Sequence, residues 1–251
     1  MEIVKDKGNL FIRRDFFILI YNSIMSSFGF SSIVTDGLFF YLDASNKKSY
    51  SGSGTDVFDI SSKSNNGSLI NGTSVINNSF LFDGVNDYIN LNFGPEIPIG
   101  SNPRTLCAFI KIYTYSPMEI FGFGNNSTGG RTSLWFNGGE FIGVEACNAA
   151  NWTSDWPGIN KWIYLCAVLE PGNNRVDDFK IYVNGYQRIT SDVNGYVLIN
   201  NTATEFLIGT IPQSIGSCNF KGEIGCIKVY NKSITDLEVL KNYNALKSRF
   251  I

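Results

Sequence analysis

Phe179-Lys180-Ile181-Tyr182-Val183-Asn184-Gly185 is the stretch that decides the fold class. Phe179, Ile181 and Val183 alternate with Lys180 and Tyr182, the period of a strand with two different faces. Asn184-Gly185 then offers the pair best suited to a tight hairpin turn, because both of its central residues take positive φ. The same grammar runs through the chain from Asp36 onward. Short apolar or alternating runs include Gly37 to Leu42, Ser79 to Phe82, Thr105 to Ile112, Trp162 to Leu169, Glu205 to Ile208 and Glu223 to Tyr230. Gly, Asn, Ser and Pro clusters separate them, and Asp83-Gly84 is a second strong turn signal. Helix-period segments are missing between the strands, so parallel βαβ units are not expected. An all-β, antiparallel, two-sheet sandwich is. One helix is predicted near the end. Thr235 and Glu238 have capping-box spacing, and Val239, Tyr243, Leu246 and Phe250 fall on one stripe.

The 251 residues are 43% hydrophobic and carry a formal net charge of −2. That is enough apolar material for one large core, and neither the charge nor any Lys/Arg cluster marks a nucleic-acid partner. The chain has no histidine. A histidine base, a Ser-His-Asp or Cys-His site and imidazole metal ligation are thereby excluded. Five cysteines at wide spacing, with no Cys-x-x-Cys pair, argue against a disulfide framework and a zinc site. They read as buried free thiols, which suits a reducing cytoplasm during folding.

Residues 1–35 differ from the rest. Lys5, Lys7, Arg13 and Arg14 precede the apolar run Phe16-Phe17-Ile18-Leu19-Ile20-Tyr21, too short and interrupted for a membrane span. We read this segment as an attachment arm in which Phe16, Phe17, Leu19 and Ile20 make the contact. The division is therefore residues 1–35 as arm and 36–251 as sandwich.

Three segments carry a family resemblance. They are Asp36 to Ala44 with Phe58-Asp59-Ile60-Ser61 and Asn65-Asn66-Gly67; Phe80-Leu81-Phe82-Asp83-Gly84-Val85-Asn86-Asp87-Tyr88-Ile89; and Phe220 to Asn231, continuing through Tyr243-Asn244 to Phe250. In order and spacing, residues 36–251 resemble the concanavalin A-like lectin/glucanase (laminin-G-like) family, particularly the versions carried by tailed phages and other viruses. The resemblance implies jelly-roll connections and a displayed binding surface, as in capsid decorations, fibre tips and adhesins. One fold hosts many activities, so function has to come from the site.

The segment Asn148 to Gly158 is the candidate site. Trp152 and Trp156 offer faces for sugar C–H groups, beside Asn151 and Asp155 as hydroxyl partners. The competing reading turns both tryptophans inward. Arg131 and Asn137, flanking Trp135, are expected to line the same mouth. Asp83 to Asp87 is acidic enough to suggest calcium, but a turn with Gly84 at unusual angles and Asp83 and Asn86 capping backbone amides explains it better. No metal site or other cofactor is expected. Glu119 and Glu223 stand isolated, and no Glu-x-Asp-x-x-Glu pattern supplies a glycosidase pair. The chain is accordingly expected to be a non-enzymatic virion structural protein. It would be made in the host cytoplasm, joined to other virion proteins through its arm and displaying a lectin-like sandwich to surface glycans, with a homo-oligomer allowed. A secreted or cell-surface adhesin with residues 1–25 as signal is the alternative, and a glycoside hydrolase of the same fold comes third.

Overall fold

The computed structural model describes residues 4–6, 9–11, 32–94, 96–202 and 204–251, with side chains from residue 32 onward. The expected contact residues Phe16, Phe17, Leu19 and Ile20 lie outside the described residues. Near the N-terminus β1 (Val4–Asp6) pairs antiparallel with β2 (Asn9–Phe11).

Two antiparallel sheets form a sandwich. The first has eight strands, in the order β16 (Tyr186–Gln187), β15 (Lys180–Val183), β14 (Trp162–Leu169), β9 (Arg104–Ile112), β19 (Lys221–Tyr230), β7 (Ser79–Asp83), β6 (Ser74–Ile76), with β3 (Leu38–Asp43) also on β19. The second has nine, in the order β17 (Ser191–Val193), β13 (Ala150–Thr153), β12 (Ile142–Glu145), β11 (Arg131–Asn137), β10 (Pro117–Gly124), β18 (Phe206–Ile208), β8 (Tyr88–Leu91), β5 (Gly67–Ile70), β4 (Asp56–Val57). Phe206 sits between the sheets with Phe40 edge-on at 5.0 Å and Phe123 at 5.7 Å, the favoured aromatic geometry.

The two turn signals have different outcomes. Asn184 (φ 54°) and Gly185 (φ 84°) do join β15 to β16 as a two-residue hairpin. Asp83-Gly84 instead begins a crossing from β7 in one sheet to β8 in the other. Its backbone is held by Asp83 Oδ1, which accepts Val85 N–H at 2.7 Å, and by Asp87, which accepts the N–H of Asp83 and of Gly72. Asp83 caps as expected, and its partner is Asp87 rather than Asn86.

Strands β9 and β14 are apolar on both faces because both faces are covered. Leu106, Ala108 and Ile110 point between the sheets; Cys107 and Phe109 point outward, with Tyr164 and Cys166 beside them. Over this outer face lies α1 (Asp236–Leu246), started by the capping box: Thr235 Oγ1 accepts Glu238 N–H, and Glu238 Oε2 accepts Thr235 N–H at 2.8 Å. Val239 and Leu246 are buried, while Tyr243 and Phe250 stack on Phe109.

A buried polar bridge ties the start of the sandwich to its end. Asn242 Oδ1 accepts Val34 N–H (2.8 Å), Asn242 Nδ2 donates to Tyr230 Oη (2.9 Å), and Tyr230 Oη donates to Val34 O (3.0 Å). Val34 falls inside the segment assigned to the arm, yet it is buried against α1. Beginning the chain at Asp36 removes that side chain and leaves Asn242 short of a partner. Each loss costs ~1–3 kcal/mol. A chain of residues 32–251 is therefore expected to exceed one of residues 36–251 by at least ~2 kcal/mol in urea unfolding. Equal midpoints would show that Val34 contributes nothing.

Candidate functional site

The segment around the two tryptophans is partly a strand. Ala150–Thr153 forms β13, pairing with β12 on one side and β17 on the other. Alternation then sorts its side chains. Asn151 turns inward, 1% exposed, and its amide donates to Phe179 O at 2.8 Å and Asp177 O at 3.3 Å. It fastens β13 to the turn that leads into β15, so the expectation that it meets a ligand is corrected. Trp152 takes the opposite face, half-buried, stacked on Phe141 with ring centres 5.5 Å apart. Across from it stands Gly143, where a Cβ would fall 2.6 Å from Trp152 Cα.

Trp156 lies beyond the strand. Its ring edge rests on Phe136 at 5.4 Å, and its Nε1–H donates to Glu140 O at 2.6 Å. With Tyr115, Glu140, Ser154, Pro157 and Gly158 it lines an open cleft of about 240 Å³. Asp155 is exposed beside it and accepts from Arg188 Nη1 at 2.9 Å. Of Trp152, Asp155 and Trp156, only Trp156 lines the cleft, packed on the core from one side. Asp155 stands exposed next to it in sequence, and Trp152 lies on the outer face of β13, whereas Asn137 shapes the β11–β12 turn by accepting Gly139 and Phe141 N–H.

Arg131 does not line the mouth either. It is 3% exposed and gives Nε and Nη2 to Glu145 Oε2 at 3.0 and 2.7 Å. This pair belongs to a second cluster on the outer face of the nine-stranded sheet. Gly122 and Glu145 both face Ser133 across the ladder, and Glu119 faces Trp135. Glu119 is fully buried beside Gly122, where an added Cβ would meet its Oε1 at 2.4 Å. Neither carboxyl oxygen has a hydrogen-bond partner among the described residues. Burial pushes its pKa up to about 8; the Arg131 guanidinium opposes the shift, Glu145 adds to it, and the neighbouring Ser133 hydroxyl, though out of hydrogen-bond geometry, opposes it slightly. Glu119 thus holds its proton to far higher pH than an ordinary glutamate.

Glu119 and Glu223, isolated in sequence, have company in space. Glu223 accepts from Ser79 Oγ (2.5 Å), Tyr113 Oη and Lys111 Nζ (3.5 Å). Those contacts hold its carboxyl below the usual range although burial opposes them. Among the described residues no group of three or more His, Cys, Asp or Glu is arranged to hold a metal. Sequence reasoning missed Tyr115, Glu140 and Ser154. Tyr115, in the polar Tyr-Thr-Tyr-Ser-Pro stretch after a strand, was the available signal.

The model of the concanavalin A-like lectin/glucanase superfamily (laminin-G type) matches residues 83–240, more than half of the chain. The chain belongs to this superfamily. Among curated proteins none matches. The lectin-like sandwich is similar to a solved Trypanosoma rangeli sialidase in complex with sialic acid, at 14% identity and a TM-score of 0.62, covering 99% of this chain and 44% of that one. A second Trypanosoma rangeli sialidase structure aligns at 16% identity and TM-score 0.61, covering 87% and 34%. The receptor-binding domain of botulinum neurotoxin D aligns at 15% and 0.57, covering 84% and 53%. This chain spans a third to a half of those proteins, and identities this low establish the fold. The expectation of a non-enzyme is corrected at this point. Glycoside hydrolases are among the proteins that contain this sandwich, so neither the family nor the missing glucanase pattern sets the chain apart from enzymes.

The raised pKa of Glu119 fixes a pH dependence. An unfolded glutamate ionises near its ordinary 4.5, whereas the folded one keeps its proton to about 8. The folded state therefore holds more protons across that window, and the stability of the sandwich falls as pH rises through it. Glu119→Gln is expected to be close to neutral at the acid end and stabilising by at least ~2 kcal/mol at the alkaline end. Denaturant titrations of both proteins across the window check this; a pH-independent difference would contradict it.

Proposed function

We propose that the sandwich is a glycan-binding module displayed on a virion, bound at one end of its nine-stranded sheet and attached through its N-terminal segment. The observation that carries the glycan reading is the half-exposed Trp156, which shares an open cleft with Tyr115 and the polar Ser154 and Glu140. Sugar rings are recognised by this combination of flat apolar faces and directional hydroxyl partners. A cleft of about 240 Å³ suits one ring, with Trp152 offering a second face outside it. Neighbours of the same fold include a sialidase with bound sialic acid and a toxin's receptor-binding domain, which supports a carbohydrate or receptor ligand.

Trp156→Ala is expected to weaken retention on a responsive glycan by at least tenfold, since stacking and burial of one indole are worth ~1.5–3 kcal/mol. Trp152→Ala should have a smaller effect. Both are checked on a glycan array, with circular dichroism to show that the fold survives. Undiminished retention by a folded Trp156→Ala protein would remove the cleft from consideration.

The virion role is carried by the resemblance to viral versions of the family read in the sequence of residues 36–251, and by the apolar run in the first segment. Phe17→Asp combined with Leu19→Asp should leave a folded, glycan-binding sandwich that is absent from purified particles by mass spectrometry. Normal incorporation would place the docking surface on the sandwich. Absence of the unmutated protein from particles, with secretion instead, would favour an adhesin.

A further inference from the structure

Cys107 and Cys166 face each other directly across β9 and β14, with their Sγ atoms 2.9 Å apart. Both are fully buried on the outer face of the eight-stranded sheet, beneath α1. Facing residues of an antiparallel pair have Cα atoms ~4.5–5.5 Å apart, inside the ~4.4–6.8 Å that a disulfide spans. A bond between the two sulfurs therefore needs side-chain rotation and no change of strand register.

The surroundings distinguish the two thiols. Lys228 lies opposite Cys107 on the other neighbouring strand and is itself buried, its Nζ 3.7 Å from Cys226 Sγ and 4.8 Å from the Tyr41 ring centre. Burial opposes ionisation of Cys107, but contacts with Cys166 and Tyr164, and Lys228 nearby, outweigh it and hold its thiol below the usual range. Cys166 is pushed well up, by burial first and by Cys107 next. Lys228, standing beside Cys107 across the strand pair, makes that sulfur the one placed to react first.

We propose that Cys107 and Cys166 are a redox modification site, closing a cross-strand disulfide by exchange with a small-molecule disulfide. The Cys107 thiolate attacks one sulfur of the reagent, forming a mixed disulfide and releasing one thiolate that takes up the Cys107 proton. Cys166 then loses its proton and attacks the Cys107 sulfur, expelling the second reagent thiol. Two protein thiols are oxidised by two electrons, and one reagent disulfide is reduced to two thiols. Exchange waits on α1 lifting from the sheet, so the reaction is slow in the folded protein. The resulting link joins positions 59 apart in sequence and restricts the unfolded chain.

The test uses the full chain, glutathione disulfide at mildly alkaline pH, alkylation under denaturing conditions and peptide mass spectrometry. The expected product is a Cys107 peptide joined to a Cys166 peptide, two hydrogens lighter than their sum. The linked protein should unfold several degrees higher, and a reductant should reverse both changes. Cys107→Ser and Cys166→Ser should each abolish the linked peptide. Half-buried Cys218 reports that the oxidant has acted. Intact Cys107 and Cys166 in a sample whose Cys218 is glutathionylated would overturn the proposal. So would a link from either one to Cys226.

Discussion

The pairing of β19 on both its edges is the constraint on which the other parts of the sandwich depend. One edge of this ten-residue strand runs along β9; the other is shared end to end by β7, on Lys221–Ile224, and β3, on Cys226–Tyr230. The division falls at Gly225, where the register against β9 also shifts. A β-bulge of this kind bends a strand and lets it change partner. Glycine is required there because an added Cβ would lie 2.3 Å from the Phe250 ring. The bulge is therefore also the seat on which the C-terminal segment lands, and Phe250 stacks from it onto Phe109 and leans, tilted, against Trp162.

Charges inside the sandwich follow the same geometry. Arg249 returns over the sheet to grip Asp43 through both guanidinium ends, and Tyr41 Oη adds a bond at 2.7 Å. Burial disfavours the Asp43 carboxylate, yet these donors win and hold its pKa below the ordinary value. Its contribution is full above the unfolded carboxyl pKa and lost as pH falls through the folded one. Arg104, fully buried, is served by Asn201, Thr132 and the carbonyls of Ile99, Gly100 and Asn102, and burial lowers its pKa to about 9. Each of these ions is surrounded by donors or acceptors of the right sense. Glu119 departs from that rule, and it lies beneath the Cys218 carbonyl that accepts its own N–H.

The parts of this organisation that obey local rules were legible in the chain. Alternation along Thr105–Ile112 and Trp162–Leu169, the Asn184-Gly185 hairpin and the Thr235/Glu238 cap are each settled within a few residues. Ala150-Asn151-Trp152-Thr153 lacks apolar alternation and reads as loop; it is a strand because β12 and β17 use its backbone. Once it is a strand, Asn151 must face opposite to Trp152, which composition cannot reveal. Arg131 was placed at the mouth by its nearness to Trp135, but its direction is set by Glu145 on the next strand. Asp83-Gly84 signals a turn correctly and gives no hint that the turn changes sheets. The meeting of Cys107 with Cys166 depends on strand register, which no spacing rule encodes.

The placement of β19 also bears on how the molecule is made. The Asp43–Arg249 contact closes over 206 positions and the Val34–Tyr230 contact over 196. A strand that occupies the middle of a sheet is thus made after every other described strand of the sandwich. Until it arrives, β3 and β7 lack their neighbour and β9 has a bare edge, the kind of template on which nascent chains associate. Non-local closure of this sort is slow, so the interval before β19 emerges is the one in which this sandwich most needs a chaperone.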